Sequence, residues 1–225
     1  MQRLIDGYAM FRSKVFPQHS ELFERLAKGQ QPQALFVCCS DSRVMPEMVM
    51  QCEPGDLFPC RNAGNLVPPP YETGSGVAAT IEYAVRVLKV KDAIVCGHSD
   101  CGAMKALLER EHLEKLPTVN SWLEHAGPGS RWLTKTLKDL TAMAPEKRLQ
   151  ALTEANVITQ MQNLCVHHAV AEAIGIGALR VHGWMYDIAT GAIRRFDREQ
   201  GEFRELIDDA TVIHGSETKT ERKIA

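Results

Sequence analysis

Cys39-Ser40-Asp41-Ser42-Arg43 and, far downstream, His98-Ser99-Asp100-Cys101 carry the residue types needed to hold and use a metal ion. They offer two sulfurs, one imidazole, and a carboxylate beside a guanidinium. Zinc takes such S and N ligands at Cys39, His98 and Cys101, and a site with three protein ligands keeps its fourth position for water, the outline of a catalytic centre. If Cys39 to Arg43 is extended, positions 39, 41 and 43 share one face, because strand side chains alternate. Arg43 can then hold Asp41 by a two-point hydrogen bond. An Asp so tied is kept off the metal and remains an acceptor for a proton of the water there. His98-x-x-Cys101 falls where a strand enters a helix. A thiol at a helix N-terminus has a lowered pKa, which favours the thiolate that zinc needs.

Taken singly, any of these cysteines reads as packing, since free Cys behaves as a small buried hydrophobe. The trio at two strand ends does not. Cys38 should point opposite to Cys39, and Cys52, Cys60, Cys96 and Cys165 read as packing residues. His167-His168 looks like a ligand pair, but adjacent helix positions diverge. His19, His112, His125 and His214 sit in polar surroundings and read as surface; the sequence does not say which group carries a proton away.

The elements that must position these residues follow from periodicity. Residues 1–29 read as helical, with a break at Pro17. Ala34 to Cys39, Leu57 to Cys60, Ala93 to Gly97 and Leu179 to Tyr186 have strand length and composition, and Ala192 to Phe196 reads as an antiparallel return. Val77 to Leu88, Gly102 to Glu111 and Asn156 to Ile174 read as helices, and residues 112–150 as helical pieces broken by Pro117, Gly127-Pro128-Gly129 and Pro145. Strands alternating with helices imply an α/β fold. Its central sheet is mostly parallel, of about four strands plus an antiparallel edge strand, with helices on both faces and an N-terminal helical arm. Both motifs then fall at carboxyl ends of strands, where open α/β sheets build their sites. Arg61-Asn62-Ala63-Gly64-Asn65 follows a strand and is a weak candidate for a pocket wall.

A chain of 225 residues suits one domain, here 1–215 with the arm at 1–29, and a polar, loose tail over 216–225. With 44% hydrophobic residues, 24% charged residues and a net charge of -2, nothing points to nucleic acid or an anionic membrane. No apolar run approaches the ~20 residues of a membrane span, and the first ten residues lack a signal-peptide core. Seven cysteines at these spacings suggest no disulfide framework, so a reduced, cytoplasmic setting is expected.

These residues resemble the β-class carbonic anhydrases. The resemblance runs from Gly29-Gln30-Gln31-Pro32 through Cys39 to Arg43, Glu53 to Phe58, Arg61 to Asn65, Ile81 to Val85 and Cys96 to Gly102, ending at His182 to Asp187. It implies one Zn²⁺ per chain on Cys39, His98 and Cys101, with Asp41 and Arg43 as the catalytic dyad. It also implies a CO₂/bicarbonate pocket in which Gln30 donates an amide hydrogen bond, Phe58 and Tyr83 are aromatic walls, Ala63 is a small apolar wall, and Gly102 lies beside the metal. Part of that pocket comes from a second subunit in the family, so a homodimer that can pair further is implied. Of two branches, the one with a non-catalytic bicarbonate pocket uses Trp, Arg and Tyr. Arg61 and Tyr186 match it, but Phe36 stands at the Trp position, and Gln30 favours the plant-type branch. The expected reaction is reversible CO₂ hydration. Rival readings are a COS or CS₂ hydrolase on the same trio, a zinc-bearing sensor, and a thiol redox protein, which the lack of Cys-x-x-Cys disfavours.

Overall fold

The computed structural model describes residues 1–70, 75–127, 140 and 143–207. Its centre is a six-stranded sheet: β1 Ala34–Cys39, β2 Leu57–Asn62, β3 Asp92–His98, β4 Arg180–Tyr186, β5 Ile193–Asp197 and β6 Glu202–Glu205, in the order β2-β1-β3-β4-β5-β6. β1 pairs in parallel with β2 and β3, and β3 with β4. β5 and β6 return antiparallel. The second antiparallel strand, β6, is an addition to the one edge strand expected. Every residue of β1, and all of β3 except Asp92, is buried. That is why both read as continuous apolar runs rather than alternating ones.

The chain leaves β1 for β2 on one side, then crosses to β3 on the other. The loops after β1 and β3 therefore diverge, opening a crevice at their carboxyl ends. Leu35, Val37, Ala93 and Val95 on one sheet face pack with Val157, Met161 and Leu164 of the long helix Pro145–Cys165. Phe36, Cys38, Ile94 and Cys96 on the other pack with Val44 and Met50, which flank the short helix Pro46–Val49.

Glycines let the long helix lie close. A Cβ on Gly183 would collide with Met161 Sδ and stand 3.0 Å from Val157 Cγ1. Gly183→Ala should therefore destabilise the fold by about 1–3 kcal/mol through overpacking, read as a lower urea midpoint with unchanged m-value.

The helix expected over 156–174 is two. The long one ends at Cys165, and His168–Gly175 starts anew after an extended His167 (φ −64°, ψ 131°). The break aims the buried His167 Nε2 at the Pro68 carbonyl, 2.9 Å away, while its exposed neighbour His168 faces solvent. Burial pushes the His167 pKa down, and the nearby His168 adds to this against the Pro68 hydrogen bond. A His depressed in the folded state binds its proton more readily when unfolded, so stability should fall as pH drops below about 6.5. His167→Asn should flatten that decline, as followed by thermal unfolding between pH 5 and 8.

Other local expectations shift by small amounts. Val77 to Leu88 forms α-helix Gly76–Glu82, N-capped by Ser75 Oγ, followed by a π-helical turn, Tyr83–Val87. Gly102 to Glu111 is helical over Gly102–Leu108 and continues in the 3-10 turn Arg110–Lys115. Pro117 starts the helix Pro117–Leu123 instead of breaking one, because its missing N–H is unneeded there. Pro17 sits in a 3-10 turn, Phe16–His19, between helical pieces. Pro128, Gly129, His214 and the tail lie outside the described residues.

Candidate active site and metal centre

Cys39 ends β1, His98 ends β3, and Cys101 is the N-cap of helix Gly102–Leu108. One ligand atom from each lies within 4.8 Å of the others, and all three residues are buried. The structure thus brings together the trio read from sequence. Cys38 turns to the opposite face, and all seven cysteines are free.

The donor chemistry fits a metal. His98 Nδ1 lies 2.8 Å from the Ser99 carbonyl, so it carries the proton and leaves Nε2 as a lone-pair donor. Nε2 is buried and has no hydrogen-bond partner, a state that costs about 1–3 kcal/mol unless a ligand fills it. The Cys39 thiol is pulled down first by a hydrogen bond from Cys101, against burial, with the Gly64 N–H at 3.4 Å adding to it. Cys101 is pushed up by that same neighbour and by burial. Two sulfurs sharing one proton beside an imidazole lone pair are a set that a divalent cation completes.

Asp41 and Arg43 meet, but not by strand alternation. β1 stops at Cys39, and residues 41–44 form a turn closed by Val44 N–H to Asp41 O at 3.0 Å. Asp41 Oδ1 accepts from the Arg43 backbone N–H and from its Nε, both at 3.0 Å, and Oδ2 accepts from Nη2 at 2.7 Å. An Asx-type turn, favoured by aspartate's short acceptor side chain, does the work assigned to the strand. The Arg43 hydrogen bond holds the Asp41 carboxyl far below the usual range, overriding partial burial. Asp41 Oδ2 stands 4.0 Å from His98 Nε2, beside the trio.

The Arg61–Asn65 segment, a weak candidate for a pocket wall on sequence, borders the trio; the amides that hold it were not legible. Arg61 donates from Nε to the Cys39 carbonyl (3.2 Å) and from Nη2 to the Asp41 carbonyl (2.9 Å), bracing the motif's backbone. Asn156 and Gln160, both buried, and the half-buried Asn163 form an amide ladder on the long helix. Asn156 Nδ2 donates to Gly64 O (3.0 Å), Gln160 Oε1 accepts from Val67 N–H (2.8 Å), and Asn163 Nδ2 donates to Val67 O (3.0 Å). The ladder holds the loop whose Gly64 N–H reaches Cys39 sulfur. Three amides spaced four and three apart share one side of the helix, a signal the sequence carries beside its apolar stripe.

The expected pocket residues divide. Ala63 is exposed, and its carbonyl accepts from Trp122 Nε1 at 2.8 Å; a Cβ on Gly102 would meet open space. Phe58 and Tyr83 touch, with ring centroids 6.0 Å apart. They lie at the other end of the sheet: Phe58 pairs with Leu35, four residues before Cys39, about 13 Å along the strand. Gln30 is exposed, in a hollow with Leu26, Gly55 and Asp56.

A family model described as carbonic anhydrase matches residues 34–193. The carbonic anhydrase of Pseudomonas aeruginosa is 46% identical over 212 residues, 94% of each chain. That of Synechocystis is 43% identical over 198 residues, covering 88% of this chain and 71% of its own. Among solved structures, the β-carbonic anhydrase CcaA superposes with a TM-score of 0.87 at 41% identity over 93% of each chain. One of two tetrameric β-carbonic anhydrases from Sordaria macrospora gives 0.77 at 29% identity, covering 86% of this chain and 95% of its own. Sequence, fold and the buried Cys-His-Cys group agree: the chain belongs to the β-class carbonic anhydrase family.

Proposed function

We propose that this protein catalyses reversible hydration of carbon dioxide to bicarbonate and a proton, with one zinc ion held by Cys39, His98 and Cys101. The observation that carries the reading is the open three-donor group beside a carboxylate whose two oxygens are both committed to Arg43. When bound, zinc supplies Lewis acidity and brings the pKa of a water into the physiological range. Asp41, kept ionised by Arg43, accepts a hydrogen bond from the attacking water and so turns its lone pair toward the CO₂ carbon. Ala63 and Gly102 leave room at the trio for a small uncharged substrate, Phe58 and Tyr83 wall it, and Gln30 donates to a bicarbonate oxygen. A stopped-flow CO₂ hydration assay with zinc analysis tests this. Zinc-loaded protein that turns over COS or CS₂ with sulfide release, and not CO₂, would defeat it.

The active unit in this reading is a homodimer, able to pair further. Gln30, Phe58 and Tyr83 are too far along the sheet to serve their own chain's trio, so a partner's trio is the one they face. The arm supports this. Residues 1–18 are all exposed, including Leu4 (72%), Tyr8 (60%) and Ile5 (52%) on helix Gln2–Met10. Such an apolar run is an association surface. Leu4→Glu with Tyr8→Glu should shift sedimentation toward monomer and lower activity in step; a fully active monomer would sink the proposal.

We place the chain in the plant-type branch. Phe36 packs edge-on to Trp184, centroids 5.9 Å apart, and Arg61 is engaged on two backbone carbonyls. That supports a site in which Asp41 stays off the metal instead of yielding to an anion held by Phe36, Arg61 and Tyr186. We also read residues 1–215 as a single domain and place the protein in the cytoplasm, a setting that suits its free cysteines. No helix among the described residues is long and apolar enough to cross a membrane.

A further inference from the structure

We propose that Asp100 is a positioning residue for the reaction, locking the Asp41–Arg43 pair in register with the metal ligands. The proposal rests on the reading of Asp41 as the acceptor that orients water. Arg43's bonds to Asp41 are local, spanning two residues. By themselves they fix the two side chains to each other, not to His98 and Cys101. Arg43 is also half exposed, with 44% of its side chain accessible, so burial does not fix where the pair sits relative to those two residues.

The missing constraint comes from the other motif. Arg43 Nη1 donates to Asp100 Oδ2 at 2.9 Å, and Nη2 donates to the Asp100 carbonyl at 3.1 Å. One guanidinium thus joins the turn after β1 to the turn that carries two of the three metal-ligating residues. Asp100 is itself constrained. Its φ is +59°, the left-handed region that aspartate tolerates better than most residues. Its second oxygen, Oδ1, pairs with Lys105 on the helix that begins after Cys101. The preceding residue, Ser99, is pinned to the end of β4: its N–H donates to Tyr186 O and its Oγ accepts from Ile188 N–H, both at 2.9 Å. The chain Lys105–Asp100–Arg43–Asp41 therefore transmits the position of the metal-bearing turn to the catalytic carboxylate.

Asp100→Gly removes the carboxylate and keeps both the left-handed backbone and the carbonyl. It should lower kcat about tenfold or more, since small misplacement of a reacting group is costly, with KM and zinc content unchanged. Asp100→Asn keeps an acceptor oxygen and should restore most of the rate. Independently of turnover, the Arg43 Nε–H signal in NMR should exchange faster with water in Asp100→Gly. In an Arg43→Ala background the Asp100→Gly change should add no further loss, because the two act as one unit. A kcat within about twofold of the parent, beside an Asp41→Asn loss of roughly 10²-fold, would overturn the role of Asp100 and leave that of Asp41 intact. Zinc loss in Asp100→Gly, or additive losses with Arg43→Ala, would also overturn it. If Asp41→Asn is as active as the parent, the reading of Asp41 falls as well.

Discussion

Cys101→Ala will lose metal and CO₂ hydration together while the fold survives. Cys101 supplies one of three donors, and among the described residues no fourth His, Cys or carboxylate joins the group whose ligand atoms all lie within 4.8 Å of one another. Its removal leaves one sulfur and one imidazole, and an open two-donor site does not hold zinc against exchange with water. The fold should tolerate the change, because Cys101 makes no side-chain cap hydrogen bond to the helix it precedes and alanine is only slightly smaller. The surrounding wall of Leu66, Met104, Leu113 and Leu152 stays intact. Elemental analysis should fall from one zinc per chain to near none, with activity at background and the far-UV spectrum unchanged. Full zinc occupancy in the variant would take Cys101 out of the ligand set.

Asp41→Asn will keep the metal and lose most of the rate. The two side chains are the same size, so packing is unchanged. The electrostatics are not. Arg43 places Nε and Nη2 against two carboxylate oxygens. An Asn offers one oxygen and an NH₂, so one guanidinium donor would meet another donor, and the negative charge is gone. On the proposed mechanism, the acceptor of the attacking water's hydrogen bond is weakened just where acceptance matters. Losing such a group costs roughly 10²–10⁴ in kcat. The expected signature is a fall of that size in stopped-flow CO₂ hydration at full zinc content. Zinc lost alongside activity would instead make Asp41 a metal ligand, and a nearly unchanged rate would remove it from the mechanism.

The grouping of Cys39, His98 and Cys101 was legible because it depends on residue type and on local periodicity. Two apolar runs of strand length each end in a ligand, and open α/β sheets put ligands at carboxyl ends. The Asp41–Arg43 pairing was legible too, but for the wrong reason. The sequence suggested strand alternation, whereas the pair forms in a turn where the Arg43 backbone N–H binds Asp41 Oδ1. Both routes place a short acceptor near a guanidinium two residues on, so the outcome survived the error in the path.

Helix breaks were less legible. The apolar pattern from Val157 to Ala171 carries through Val166 and His167 without interruption. What ends the helix is a partner nearly a hundred positions away, the Pro68 carbonyl that His167 binds. The amide ladder at 156, 160 and 163 reaches back equally far to hold the loop behind Cys39. The link from Asp100 to Arg43 spans 57 positions.

By itself, then, the sequence determined which donor atoms the protein can offer a metal, which segments are strands or helices apart from β6 and the break at His167, and that the N-terminal segment is amphipathic. Those are properties of single residues and of their near neighbours. Only the tertiary structure decided the strand order that opens a crevice between β1 and β3. It also set the sheet register that separates Phe58 from Cys39 within one chain, and the second carboxylate that ties Arg43 to the turn between His98 and Cys101. Each of these is a contact between segments far apart along the chain, set by how whole faces pack, and local pattern carries no record of which distant face will be the partner.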